Sequence, residues 1–134
     1  MSEQNVEIVR RWVGFYNRRD TDGLIELTTP DYEMKSVFAG VESGGIFRGY
    51  AGFPFEYFKT LDEAYEQFEL VPQEFIDVGA AVLMVAHIDW RGRGSGAAGR
   101  GPLFALFWLR AGRVFREESF TDRAEAFEAA GLSE

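Results

Sequence analysis

The 134-residue chain is long enough for one domain with its own core and too short for two. Its formal net charge of −8 disfavours nucleic-acid binding, which rests on neutralising phosphates. One histidine and no cysteine exclude disulfide frameworks, thiolate metal sites and multi-histidine metal centres, so no metal or cofactor is expected.

The opening stretch, MSEQNVEIVRRW, is polar and amphipathic, without the apolar core of a secretory leader. No run approaches roughly 18 apolar residues, so no membrane span is expected, and the cytoplasm is the expected location. Val6, Val9, Trp12, Val13 and Tyr16 recur at helical spacing and predict a helix over 3–18, with Ser2 as N-cap. TDGLIELTT predicts a short second helix stopped by Pro30. DYEMKSVF alternates, with Tyr32, Met34, Ser36 and Phe38 on one face of a strand, and AGVESGGI reads as loop. Tyr50, Phe53, Tyr57, Phe58 and Leu61 restore the helical period, with Pro54 in its first turn. Four long strands follow, over 66–76, 80–91, 103–110 and 113–121, and Pro72 marks the first as an edge strand or a bulged one. Ala111-Gly112 is a hairpin signal, and a last helix over 123–130 ends at Gly131. Helices followed by an antiparallel meander predict a single α+β domain over 1–134.

Aromatic residues make up 16% of the chain, more ring surface than a small core needs. A ring-lined cavity or an oligomer interface would use the surplus. Trp12, Tyr16, Tyr32, Tyr50, Phe53, Phe58, Trp108 and Phe120 are the candidate ligand-binding residues. The alternate apolar residues of LFALFWL, on the other face of the meander, are expected to form a dimer seam. His87 and Asp89 stand two apart on one strand and share a face, so they either bracket a proton in the pocket or form inert wall. Glu118 and Asp122 share parity on the last strand and are candidate acid/base carboxylates. Asp122 also stands three residues before Glu125, as a helix-capping residue would. GSGAAG at 94–99 matches a dinucleotide fingerprint, but a strand follows where that motif needs a helix, so it reads as a β–β loop. Arg91, Arg93 and Arg100 either meet an anion at the pocket rim or keep that loop soluble.

The blocks VEIVRRWVGFYNRRDTDGLIELTTPDYEM, GIFRGYAGFPFEYF, QEFIDVGAAVLMVAHIDWRGRGSG and FWLRAGRVFREESFTDRAEAFEAAGL together resemble the SnoaL-like branch of the nuclear transport factor 2-like (NTF2-like) superfamily. The resemblance implies a cone: a curved antiparallel sheet with about three helices on its concave side, enclosing a hydrophobic pocket. It also implies a homodimer through the open sheet face. Ketosteroid isomerases of that superfamily carry an oxyanion-hole tyrosine on helix one and a general-base aspartate on the first strand. An ungapped alignment puts Trp12 and Ser36 there, and neither can take the role. Limonene-epoxide-hydrolase relatives use an Arg-x-Asp pair with a later Asp; the nearest counterpart is His87-x-Asp89 with Glu118 or Asp122. SnoaL-type cyclases use a carboxylate deep in the pocket, where the resemblance implies Asp122 or Glu118. The expected function is binding of a small, largely apolar molecule, with cofactor-independent acid/base chemistry of isomerase, cyclase or hydrolase type. The alternative is a non-catalytic ligand-binding or protein-interaction domain on the same scaffold.

Overall fold

Val9, Trp12, Val13 and Tyr16 are all buried, so helix α1 (Ser2–Arg18) presents one apolar stripe inward. Each such side chain contributes roughly 1.5–3 kcal/mol by leaving water. The structure is a computed structural model that describes residues 2–37 and 44–132; Phe38 and the Ser2 side chain lie outside the described part. Asp20 caps helix α2 (Thr21–Glu26), its Oδ1 accepting from the Gly23 N–H at 3.0 Å. Gly23 lies against the Phe15 ring, which a Cβ there would meet at 2.7 Å. The two helices approach this closely because position 23 has no side chain.

Helix α2 ends at Glu26, short of the expected Pro30, because the chain joins the sheet at once. Strand β1 (Thr28–Lys35) opens with two β-branched threonines, and the Val114 N–H donates to Leu27 O at 2.8 Å. Pro30 falls where the β1 register shifts, so its missing N–H interrupts no regular ladder. Strand β2 (Ile46–Arg48) pairs antiparallel with β1 and begins at Ile46, the last residue of the expected loop. Residues Ala51–Glu56 wind loosely and are interrupted at Phe53, which is extended (φ −141°, ψ 127°) as suits a residue before proline. Only after this does helix α3 (Tyr57–Ala64) begin.

Strands β3 (Tyr65–Asp77), β4 (Ala81–Gly92), β5 (Ala98–Arg110) and β6 (Arg113–Phe120) form the expected meander. The six-stranded curved sheet has the order β2-β1-β6-β5-β4-β3 and is mixed: β1 runs parallel to β6, and every other pairing is antiparallel. Pro72 sits on the edge strand β3, where the register shifts between Pro72 and Glu74, so both expectations for it hold. Ala111 and Gly112 turn the β5–β6 hairpin at φ 52° and 78°, the left-handed pair a two-residue turn needs. The glycine-rich loop is shorter than expected, because Ala98–Gly101 pair with Ile88–Arg91. The 94–99 glycines span a β-turn and the start of a strand, with no helix behind them.

Both faces of the sheet are covered. On the inner face Tyr32, Met34, Phe68, Leu70, Met84 and Phe107 join Val9, Trp12, Val13 and Tyr16 in the larger core. On the outer face Ala81, Leu83, Val85, Phe104 and Leu106 pack with Ala126 and Phe127 of helix α4 (Arg123–Ala129). Helices α1, α2 and α3 lie on the inner side, as the expected cone has it, and a fourth, α4, lies on the outer one. The outer LFALFWL residues Phe104 and Leu106 are buried within the chain, at 6% and 1% exposure. Among the described residues only Val37 and Phe55 are large exposed hydrophobics, so this face needs no partner to hide it.

Candidate functional site

Between α1, α3 and the inner face lies a cavity lined by Trp12, Tyr16, Met34, Ser36, Tyr57, Phe68, Leu70, Met84, Leu103, Ala105, Phe107, Glu117 and Ser119. Its free space, counted where the centre of a water-sized sphere fits, is about 20 Å³. That is room for about one water, so side chains nearly fill the cavity.

The one carboxyl lining it is Glu117, 6% exposed on β6. Burial pushes Glu117 well above the ordinary carboxylate range, and the neighbouring charge of Glu118 adds to the rise. Its protonated form is therefore favoured, an acid that can donate from an apolar wall. Tyr16 on α1 and Tyr57 on α3 line the same space and are hydrogen-bonded to each other through their hydroxyls. Burial raises both phenols, and Tyr57 has a further hydrogen bond with Ser36. Tyr32 is also fully buried, its hydroxyl has no hydrogen-bond partner among the described residues, and burial raises it, with Glu117 adding to the rise when ionised. Three phenols and one acid thus share one apolar interior. The cavity can offer hydrogen bonds to a ligand oxygen and can give or take one proton. Among the described residues no three His, Asp or Glu side chains converge on a metal-sized space.

The expected catalytic residues lie elsewhere. His87 and Asp89 share the strand parity of Leu83 and Val85, which face outward, so His87 does not look into the cavity. Its Nδ1 lies 3.4 Å from Gln73 Nε2, and its Nε2 lies 3.8 Å from Asp89 Oδ1. Asp89 instead receives Arg100 Nε at 2.7 Å, which holds its carboxyl below the usual range. Glu118 and Phe120 also point outward, with Glu118 3.6 Å from Arg116, itself stacked on Trp108. Asp122 is the N-cap of α4 and accepts from the Glu125 N–H at 3.1 Å. The capping reading of Asp122 holds; none of the four lines the inner cavity, and Glu118 borders an outer groove with Glu125 and Glu128.

The reason is a bulge. Leu109 pairs with Val114 and Trp108 with Arg116, leaving Phe115 as an extra residue. Val114 faces inward, and the extra residue turns Glu117 and Ser119 inward after it in place of Glu118 and Phe120.

Of the expected ligand-binding residues, Trp12 and Tyr16 line the cavity. Trp12 stacks on Phe53 and donates from Nε1 to Thr28 Oγ1 at 3.2 Å, so its indole is fixed. Phe53 and Phe58 form a buried layer behind these rings, and Tyr32 packs on Phe53. Tyr50 lies away from the cavity, donating to Thr28 O and accepting from Arg113. Trp108 and Phe120 belong to the outer face. The phenol of helix one that reaches the cavity is Tyr16, one turn beyond the Trp12 that an ungapped alignment selects. Sequence reasoning missed Glu117, Tyr57 and Ser119. Tyr57 repeats the inward period of Phe53 and Leu61 and could have been found; nothing in the sequence announces the bulge that admits Glu117. The three loop arginines are structural ties: Arg91 donates to Gly96 O, Arg93 to Asp62 O and Tyr65 O, and Arg100 to Asp89.

A family model described as SnoaL-like domain matches residues 9–117. An NTF2-like protein of unknown function from Burkholderia pseudomallei K96243 superposes with a TM-score of 0.79 at 20% identity, over 93% of this chain and 95% of that one. A putative SnoaL-like polyketide cyclase from Jannaschia sp. CCS1 gives 0.75 at 24% identity, over 99% and 95%. TerC, co-crystallised with polyporic acid, gives 0.78 at 22% identity, over 96% and 98%. A search of curated proteins finds no match.

Proposed function

The chain belongs to the SnoaL-like family, and from that premise we propose that its inner cavity takes a small, largely apolar molecule and moves a proton on it without a cofactor. Glu117 is the acid/base. The Tyr16–Tyr57 pair supplies the hydrogen bond to an oxygen of the ligand. The observation that carries this reading is a buried carboxyl, raised by its apolar surroundings, in one cavity with two linked phenols. In the productive complex a neutral ligand oxygen accepts from a phenol, which makes the adjacent C–H more acidic. The Glu117 carboxylate, formed by loss of its proton, would remove that hydrogen and return it at another atom. Such a step serves isomerisation or cyclisation. The similar Jannaschia protein is named as a SnoaL-like polyketide cyclase and TerC was co-crystallised with polyporic acid, which agrees with an oxygen-bearing organic ligand.

The second reading is a binder without chemistry, and in either reading the cavity has to open. About 20 Å³ leaves no room for an organic molecule until Met34, Met84 or Phe68 move. One experiment separates the two. A panel of neutral cyclic and aromatic ketones is incubated with the protein in D2O, and loss of the α-proton signal is followed by NMR. Catalysed exchange that falls by about 10²-fold or more in Glu117→Gln and in Tyr16→Phe is the expected result. Saturable binding without exchange would leave the binder, and exchange indifferent to Glu117 would remove this acid/base assignment.

A further inference from the structure

Arg19 follows the last residue of α1 with φ of 56°, in the left-handed region where glycine is free and a side chain is strained. Its guanidinium has partners on three elements. Nη1 donates to Tyr16 O at 3.0 Å, and Nη2 reaches Phe68 O of β3 and Asp62 Oδ1 of α3, each at 3.5 Å. The same group stacks 4.7 Å over the Phe58 ring and lies 5.6 Å from the centre of the Tyr16 ring. One side chain therefore joins the three elements that carry Tyr16, Tyr57 and the Phe68 wall.

We propose that Arg19 is a positioning residue for the phenol pair: it fixes α3 and β3 against the end of α1 and sets a positive charge behind the Tyr16 ring, so that an oxygen held by Tyr16 and Tyr57 is favoured as an anion. The assignment rests on the reading of the cavity given above. Burial pushes both phenols up, and the Arg19 charge works against that rise in each. Other charges facing the pair are Glu117, which opposes an anion once ionised, and Asp62, which partly neutralises Arg19 from the exposed side. A lysine could supply the charge but not the fork that reaches Tyr16 O, Phe68 O and Asp62 together. Glycine would relieve the backbone and lose both.

The probe is para-nitrophenol, whose phenolate absorbs where the phenol does not. It is titrated in the Glu117→Gln background, which removes the cavity's own ionising carboxyl, and dissociation constants are taken for both forms across pH. Arg19→Met is expected to weaken phenolate binding by about tenfold while changing phenol binding less than about twofold. Asp62→Asn frees the Arg19 charge from its counter-ion and is expected to shift the ratio the opposite way; it also serves where Arg19→Met folds poorly. Equal losses for phenol and phenolate in Arg19→Met, or an unchanged ratio in Asp62→Asn, overturn the assignment and leave the cavity reading standing. Absence of saturable binding of either form to the unmutated chain would overturn both.

Discussion

Burial shifts Glu117 toward its protonated form, and this has a thermodynamic signature. Its folded-state pKa lies above the unfolded one, so between the two the folded state binds more protons than the unfolded state. The stability it contributes is complete below the ordinary glutamate range and falls as pH rises through and above it. Glu117→Gln keeps the shape and removes the ionisation. It is expected to leave stability near pH 4 little changed and to raise it near pH 8 by about 1–3 kcal/mol, the ordinary cost of a buried polar group without a partner. Thermal unfolding of both proteins at the two pH values measures this. Asp31 and Asp89 slope the other way, Asp31 held low by Thr29 and Arg110 and Asp89 by Arg100, but they are common to both proteins and cancel in the difference. At this scale the sequence was partly legible. Trp12 and Tyr16 follow from helical spacing, whereas His87, expected to face the pocket, faces outward. The run Ala81–Ala86 on its strand is buried at every position, so alternation carries no information there.

The elements were far more legible than their faces. Helix α1, the four-strand meander, the Pro72 bulge and the α4 cap can each be read from periodicity and turn chemistry. What escaped was parity, which one extra residue reverses: Phe115 decides that Glu117 lines the cavity and Glu118 does not. The short β2 escaped because three residues carry too little pattern. Among the contacts between elements, Asn17 has a defined part. Its side chain accepts from the Leu70 N–H at 2.9 Å and donates to Leu70 O at 2.8 Å, pairing α1 with the free edge of β3. Asn17→Ala leaves both backbone groups of Leu70 without that partner. It is expected to cost about 1–3 kcal/mol in urea unfolding with the slope unchanged, because the surface exposed on unfolding stays the same. A slope that changes with the midpoint would mean that the α1–β3 seam itself had opened.

As a whole, the molecule is one sheet with a core on each side, and the two cores answer to different constraints. The outer one depends on α4, whose Ala126 and Phe127 close over Leu83, Phe104 and Leu106. Removing residues 122–134 would uncover those side chains, and light scattering is expected to detect self-association of the shortened chain at concentrations where the full chain shows none by that face. The sheet between the cores is a single layer of backbone, and at Glu117 and Glu118 consecutive residues of one strand stand on its two sides. The outward charge is felt by the inward acid. An exchange at position 118, on the opposite side of the sheet, is therefore expected to retune the proton affinity of Glu117. Natural variation on the exterior could adjust the acid strength of the interior while every wall of the cavity stays as it is.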